Sequence, residues 1–234
     1  MFADDRIEFN GNGRVFGYDS TNLAAGATQP GVCGNVASVE LQGNYTLNGD
    51  VHMLPGGRVR VTGSSRLNGS ASPMASAFTL PRPRVPAATR AMPAAVGGVI
   101  TLTSGLPYLV SGDFEQHAHD EIRLTGTDPI EIYTTADFSL NGEGVINTTR
   151  DPHLLTIHNV GTNGVHINGN SAFYGTIDAP DSEVELNGNG NVYGSVIGSY
   201  IHHNGNNQVY LDTSLADDNS LEVPAPGRRT RLVW

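Results

Sequence analysis

The feature that most constrains this chain is a repeated phrase. The last third of the sequence reads VHINGNSAFYG, then VELNGNGNVYG, then IHHNGNNQVYL. The first Asn of each Asn-Gly-Asn is Asn168, Asn187 and Asn204, so the units stand 19 and 17 residues apart. Each unit follows one plan: an alternating apolar strand, Asn-Gly, a small polar residue, an apolar–aromatic pair, and often Gly. The phrase FNGNGRVFGY, from Phe9, nearly duplicates LNGNGNVYGS, from Leu186. Shorter forms stand between them at less regular spacing, in YTLNGDVHM, SRLNGSAS and FSLNGEGVI.

Two architectures produce such a pattern. In a β-hairpin, Asn-Gly is the favoured two-residue turn, because both central positions need positive φ. In a β-solenoid, Asn-Gly sits at a corner and each unit is one coil. Three strands of about five residues with their corners need roughly 17–20 residues, which matches the spacing. A hairpin would carry a second turn halfway along, and APDS, between Gly175 and Asn187, keeps that alternative open. The recurrence of the whole unit in one phase favours coils. Equivalent residues would then stack about 4.8 Å apart, and stacked amides would hydrogen-bond along the stack. The expected fold is all-β: a right-handed parallel β-helix (β-solenoid) with a Pro-rich crossing segment. Asn168, Gly169, Asn187, Gly188, Asn204 and Gly205 are its expected corner residues.

Composition agrees with many short strands and tight turns. The 234 residues include 29 glycines, and aromatic residues make up 7%. Gly and Asn both disfavour helix interiors. The formal net charge of -10 argues against nucleic acid, whose phosphates need a basic surface. All 13 basic residues are arginines, so lysine chemistry is excluded: no Schiff base, no phosphate-loop lysine, no isopeptide crosslink. A single cysteine, Cys33, excludes an intrachain disulfide and a cysteine-based zinc site. No apolar run approaches the roughly 20 residues of a membrane span, and the opening MFADDRIEFN does not read as a signal peptide.

Four segments are expected. Residues 1–71 form an N-terminal β-solenoid portion. Residues 72–98, rich in Pro and Ala, form an extended connection, because proline cannot donate to a strand ladder; a short Ala-based helix around Ala87 to Met92 is the alternative. Residues 99–215 form a C-terminal solenoid portion. Residues 216–234 form a polar tail ending in Leu232, Val233 and Trp234, which could cover an exposed last coil.

The stretch Asn168–Leu215 resembles a bacterial domain family of uncharacterised function. Its members often read GN…YG.I.AP.A.V.LNGNG..YGS, and they often follow a pilin-like helix of the PilX-associated class. GRVFGYDSTN, LNGDVHMLPGGRVRVTGS and TLTSGLPYLVSGDF follow that family's order, so the resemblance covers most of the chain. The usual HYD is here VYLD, with Tyr210 and Asp212. More distantly, the coils are similar to bactofilins, polymer-forming β-helical scaffolds. The resemblance implies an extracellular or cell-surface location, with pilus or surface components, or further copies of the chain, as partners.

Candidate chemistry is sparse. In EQHAHDEI, His117 and His119 would share one strand face with Glu115 and could hold a metal; the plainer reading is an exposed polar strand. His202 and His203 are adjacent and must point to opposite faces. Asp178, Asp181, Glu183 and Glu185 could supply the paired carboxylates of a polysaccharide hydrolase, or simply a charged outer face. No cofactor is expected, although the wealth of oxygen ligands would admit calcium. Tyr174, Tyr193 and Tyr210 occupy equivalent places in three units and should form one stripe, facing either water or the core. The leading functional expectation is a non-enzymatic structural or adhesive module that assembles into filaments. The alternatives are a carbohydrate-binding module using the tyrosine stripe and a carbohydrate-active β-helix enzyme.

Overall fold

In the computed structural model the residues described are 1–23, 31–77, 79–117, 120–142, 147–170 and 172–215, with the strands Glu222–Ala225 and Arg228–Arg231. The chain is all-β, and 19 of its strands join in one sheet whose named strand pairs are all parallel. Two smaller sheets accompany it: Val99–Thr103 with Glu121–Thr125, in parallel, and Glu222–Ala225 with Arg228–Arg231, antiparallel. The parallel pairing overturns the hairpin alternative. The long strands Phe173–Gly188 and Val192–Gly205 lie side by side, with Tyr174 beside Tyr193, Asn187 beside Asn204 and Gly188 beside Gly205. The APDS turn of the sequence is only a register shift between Ala179 and Glu183 within one strand. This large parallel sheet is compatible with a β-solenoid.

Alternation along each strand sorts side chains between the core and the outside. One inward column contains Phe138, Val165, Val184, Ile201, Ile7 and Val39, each fully buried and each beside the next on a paired strand. Like sits on like because the pairing register keeps every unit in phase. The core is therefore one continuous apolar cluster that follows the stack of paired strands.

The spatial order of the strands differs from their order in the chain. Phe2–Gly11 pairs with Val192–Gly205 on one side and with Gly31–Gly34 and Ser38–Leu41 on the other. Arg14–Tyr18 pairs likewise with Gln208–Asp212 on one side and Thr46–Leu47 on the other. The N-terminal portion thus continues the stack beyond the C-terminal portion. Phe2–Gly11 and Gln208–Asp212, from opposite ends of the chain, lie against different parts of the same strand, Val192–Gly205.

This order dictates the geometry of the Pro-rich connection. It leaves Ala71–Pro73, at one end of the stack, and reaches Arg90–Ala91, at the other. From Ala71–Pro73 the stack runs through Asp50–Met53, Gly31–Gly34, Phe2–Gly11, Val192–Gly205, Phe173–Gly188, Leu155–Asn159, Ile130–Thr134 and Tyr108–Val110 to Arg90–Ala91. Nine steps of about 4.8 Å make roughly 43 Å. The 17 residues from Pro73 to Arg90 cover roughly 53 Å as polyproline II but only roughly 26 Å as an α-helix. A strap helical throughout could not make the crossing, and the short helix around Ala87 to Met92 is overturned directly: residues 81–89 have neither helix nor strand, and Arg90–Ala91 is a strand. The strap is fastened midway. Leu80 is buried against Phe2, Cys33 and Ile197, and the Arg82 guanidinium grips both carboxylate oxygens of Asp181 at 2.5 and 2.7 Å.

Candidate functional site

The glycines of the Asn-Gly pairs explain how the strands approach so closely. A Cβ added at Gly188, where φ is +107°, would stand 2.3 Å from the carbonyl oxygen of Gly169. At Gly205 it would meet the Gly188 carbonyl at 2.2 Å, and at Gly169 the Gly142 carbonyl at 2.1 Å. The column continues into the N-terminal portion, with Gly11 against Gly205 and Gly43 against Gly11. Beside it run amide ladders. Asn168 donates to the Asn141 side chain (3.0 Å) and Asn187 to Asn168 (3.1 Å). Asn204 continues this column beside Asn187. A second ladder joins Asn189 to Asn170 and Asn12 to Asn206, each at 2.9 Å.

Tyr174, Tyr193 and Tyr210 do form a stripe, and it faces outward, half-buried. Their flanking residues Phe173, Val192 and Val209 fill the core. The rings lie face to face, with centroids 4.5 Å and then 4.6 Å apart and interplanar angles of 7° and 3°. Phe16 adds a fourth ring, 5.4 Å from Tyr210, and Tyr18 leans edge-on against Tyr193 and Tyr210. Burial and the neighbouring Tyr193 hydroxyl raise the pKa of both Tyr174 and Tyr210 above that of an ordinary phenol. Burial, reinforced by Asp212, raises that of Tyr18 further. The fourth ring was signalled by the sequence: Phe16 holds in FNGNGRVFGY the place of Tyr193 in LNGNGNVYGS.

The acidic candidates have different fates. Asp181 is taken by Arg82, and Asp178 by His158 Nδ1 at 2.8 Å. Glu185 Oε2 meets His166 Nδ1 at 3.0 Å and accepts from Asn187 Nδ2 at 3.1 Å. Only Glu183 keeps a carboxylate with no hydrogen-bond or ion-pair partner among the described residues. Glu183, Glu185 and His202 converge across two paired strands, each half-buried, with one ligand atom of each within 4.8 Å of the others. In the sequence the glutamates and His202 stand apart, because their adjacency depends on the pairing of two strands.

His117 is exposed just after the strand Phe114–Gln116, its carbonyl accepting from Asp120 N at 3.1 Å. The exposed Glu115 carboxylate accepts from Asn141. His119 and the terminal Leu232 to Trp234 lie outside the described residues. His203 points inward, opposite to His202, and packs fully buried against Phe9 and Tyr45. Burial, outweighing the nearby Asn207 amide, pushes its imidazole down to about 4. His153 Nε2 lies 2.9 Å from Ser214 Oγ, which also donates to the buried Asp212 at 2.7 Å. The carboxylate there holds the serine rather than the far ring nitrogen, so the trio lacks the relay order of a nucleophilic triad.

Residues 100–218, which are 119 of the 234, match a family described as a domain of unknown function, DUF7305. The chain belongs to that family. No curated protein and no solved structure matches it.

Proposed function

We propose that this member of the DUF7305 family is a non-enzymatic structural module, a right-handed β-helical rod in a bacterial surface or pilus-like appendage. The handedness follows from the strong preference of parallel crossover connections. The observation that carries this reading is the direction in which the outer side chains spend their interactions. Stacked tyrosines occupy one another's faces, and stacked asparagines one another's amides, along the axis of stacking. Such ladders stiffen a rod and leave little for a ligand. A sugar packs on the face of an aromatic ring, and within this stack the inner faces are already covered, which weighs against the carbohydrate-binding alternative. The surface location and the pilus association rest on the sequence resemblance.

The ends of the stack support assembly with further copies. One outer column begins at Glu115, passes through His166, Glu185, His202 and Glu40, and ends at Arg60. Glu115 and Arg60 are both exposed, on strands that among the described residues pair on one side only in this ladder. A second copy stacked head to tail would set Arg60 against Glu115 of the next, a contact that repeats without closing.

Negative-stain electron microscopy across a concentration series tests this. Rods that lengthen with concentration are expected. Arg60→Glu should shorten them, and Arg60→Glu combined with Glu115→Arg should restore them. Single particles at every concentration, together with saturable binding on a glycan array, would overturn the reading in favour of a carbohydrate-binding module.

A further inference from the structure

We propose that Glu183, Glu185 and His202 form a binding site for a divalent transition-metal cation of the zinc type. This does not depend on the structural-module reading. The placement follows from strand geometry. Glu183 and Glu185 are two residues apart and project from the same face of Phe173–Gly188, and Glu185 lies directly beside His202 on the next strand. Their ligand atoms already lie within 4.8 Å of one another. Ligands about 2.1 Å from a tetrahedral centre stand roughly 3.4 Å apart, so a modest side-chain rotation closes the set.

The surroundings orient these groups. His166 Nδ1 and Asn187 Nδ2 both meet Glu185 Oε2, which leaves Oε1 for a cation. Asn10 Nδ2 lies 3.1 Å from His202 Nε2; with that amide turned over, its oxygen accepts from Nε2–H and leaves His202 Nδ1 to the cation. Partners of this kind around the ligands raise metal affinity by holding them in place. Arg6, across Tyr200 from Glu183, is engaged by Glu8 and by Glu40 and lies over the Tyr200 ring. Two carboxylates facing each other with no cation between them repel, and a divalent ion would neutralise both. An imidazole in the set selects zinc, nickel or cobalt over calcium or magnesium, which take oxygen ligands. Three protein ligands leave the fourth position to water or to a group from a partner.

Isothermal titration of the chelator-treated whole chain with zinc chloride tests the site. One equivalent should bind saturably, with calcium chloride failing to compete. Glu183→Gln, Glu185→Gln and His202→Gln should each weaken binding at least tenfold. His117→Gln and His158→Gln, which alter histidines elsewhere, should leave it unchanged. Circular dichroism of each variant confirms folding, since all of these side chains lie on the outer face. The absence of saturable zinc binding, equal loss on replacing His117 or His158, or indifference to His202→Gln would each overturn the assignment.

Discussion

At the scale of single residues, the stack makes two opposite demands. Corner positions must have no side chain, because the neighbouring carbonyl occupies the place of a Cβ, as at Gly169, Gly188 and Gly205. Inward positions are mostly apolar, and His203, like Gln116 in the same column, departs from that. It stands in the column between Leu186 and Phe9 and is fully buried. The native state therefore holds it neutral, with a pKa near 4 against an ordinary 6.5. Between those values the unfolded chain binds more protons than the folded one, so stability rises with pH across this window. The contribution is complete above pH 6.5, is lost as pH falls toward 4, and amounts to about 3 kcal/mol. Urea unfolding at pH 7 and pH 4.5 should show His203→Leu losing about 2.4 kcal/mol less stability on acidification than the unaltered chain. Equal losses would place His203 in solvent.

At the scale of elements, legibility tracked locality. The register of the Asn-Gly pairs and the tyrosine stripe is legible because each repeats within 20 residues, so register follows from phase alone. The outward direction of the stripe follows from Phe173, Val192 and Val209 claiming the core. The strap from Pro73 to Arg90 read as extended because proline excludes a ladder. That its length is set by the distance along the stack was not readable, because the positions of its two ends depend on pairings between strands remote in sequence. The pairing of Glu185 with His202 was hidden for the same reason. The strap's two fastenings should differ in weight. Leu80→Ala should destabilise the protein by about 2–3 kcal/mol, as a buried large-to-small change. Arg82→Ala should cost clearly less than that, because the Arg82–Asp181 pair is solvent-exposed. Thermal or urea unfolding of both variants checks this; equal effects would mean that Leu80 does not pack against Phe2 and Cys33.

At the scale of the whole molecule, the two β-rich portions make one stack in permuted order. The N-terminal portion adds to the far side of the C-terminal one, and the strap carries the chain back to the opposite end. The near-duplicate phrases at Phe9 and Leu186 belong to strands separated by only one neighbour, Val192–Gly205. The direct test is a cysteine pair across the join. Asn12 and Asn206 lie side by side, their side chains hydrogen-bonded at 2.9 Å and exposed, while the native Cys33 is buried. In the chain carrying Asn12→Cys and Asn206→Cys, mild oxidation should give an intramolecular disulfide, read as a faster-migrating monomer on a non-reducing gel. A chain that stays uncrosslinked, or that crosslinks only to other molecules, would contradict the single stack.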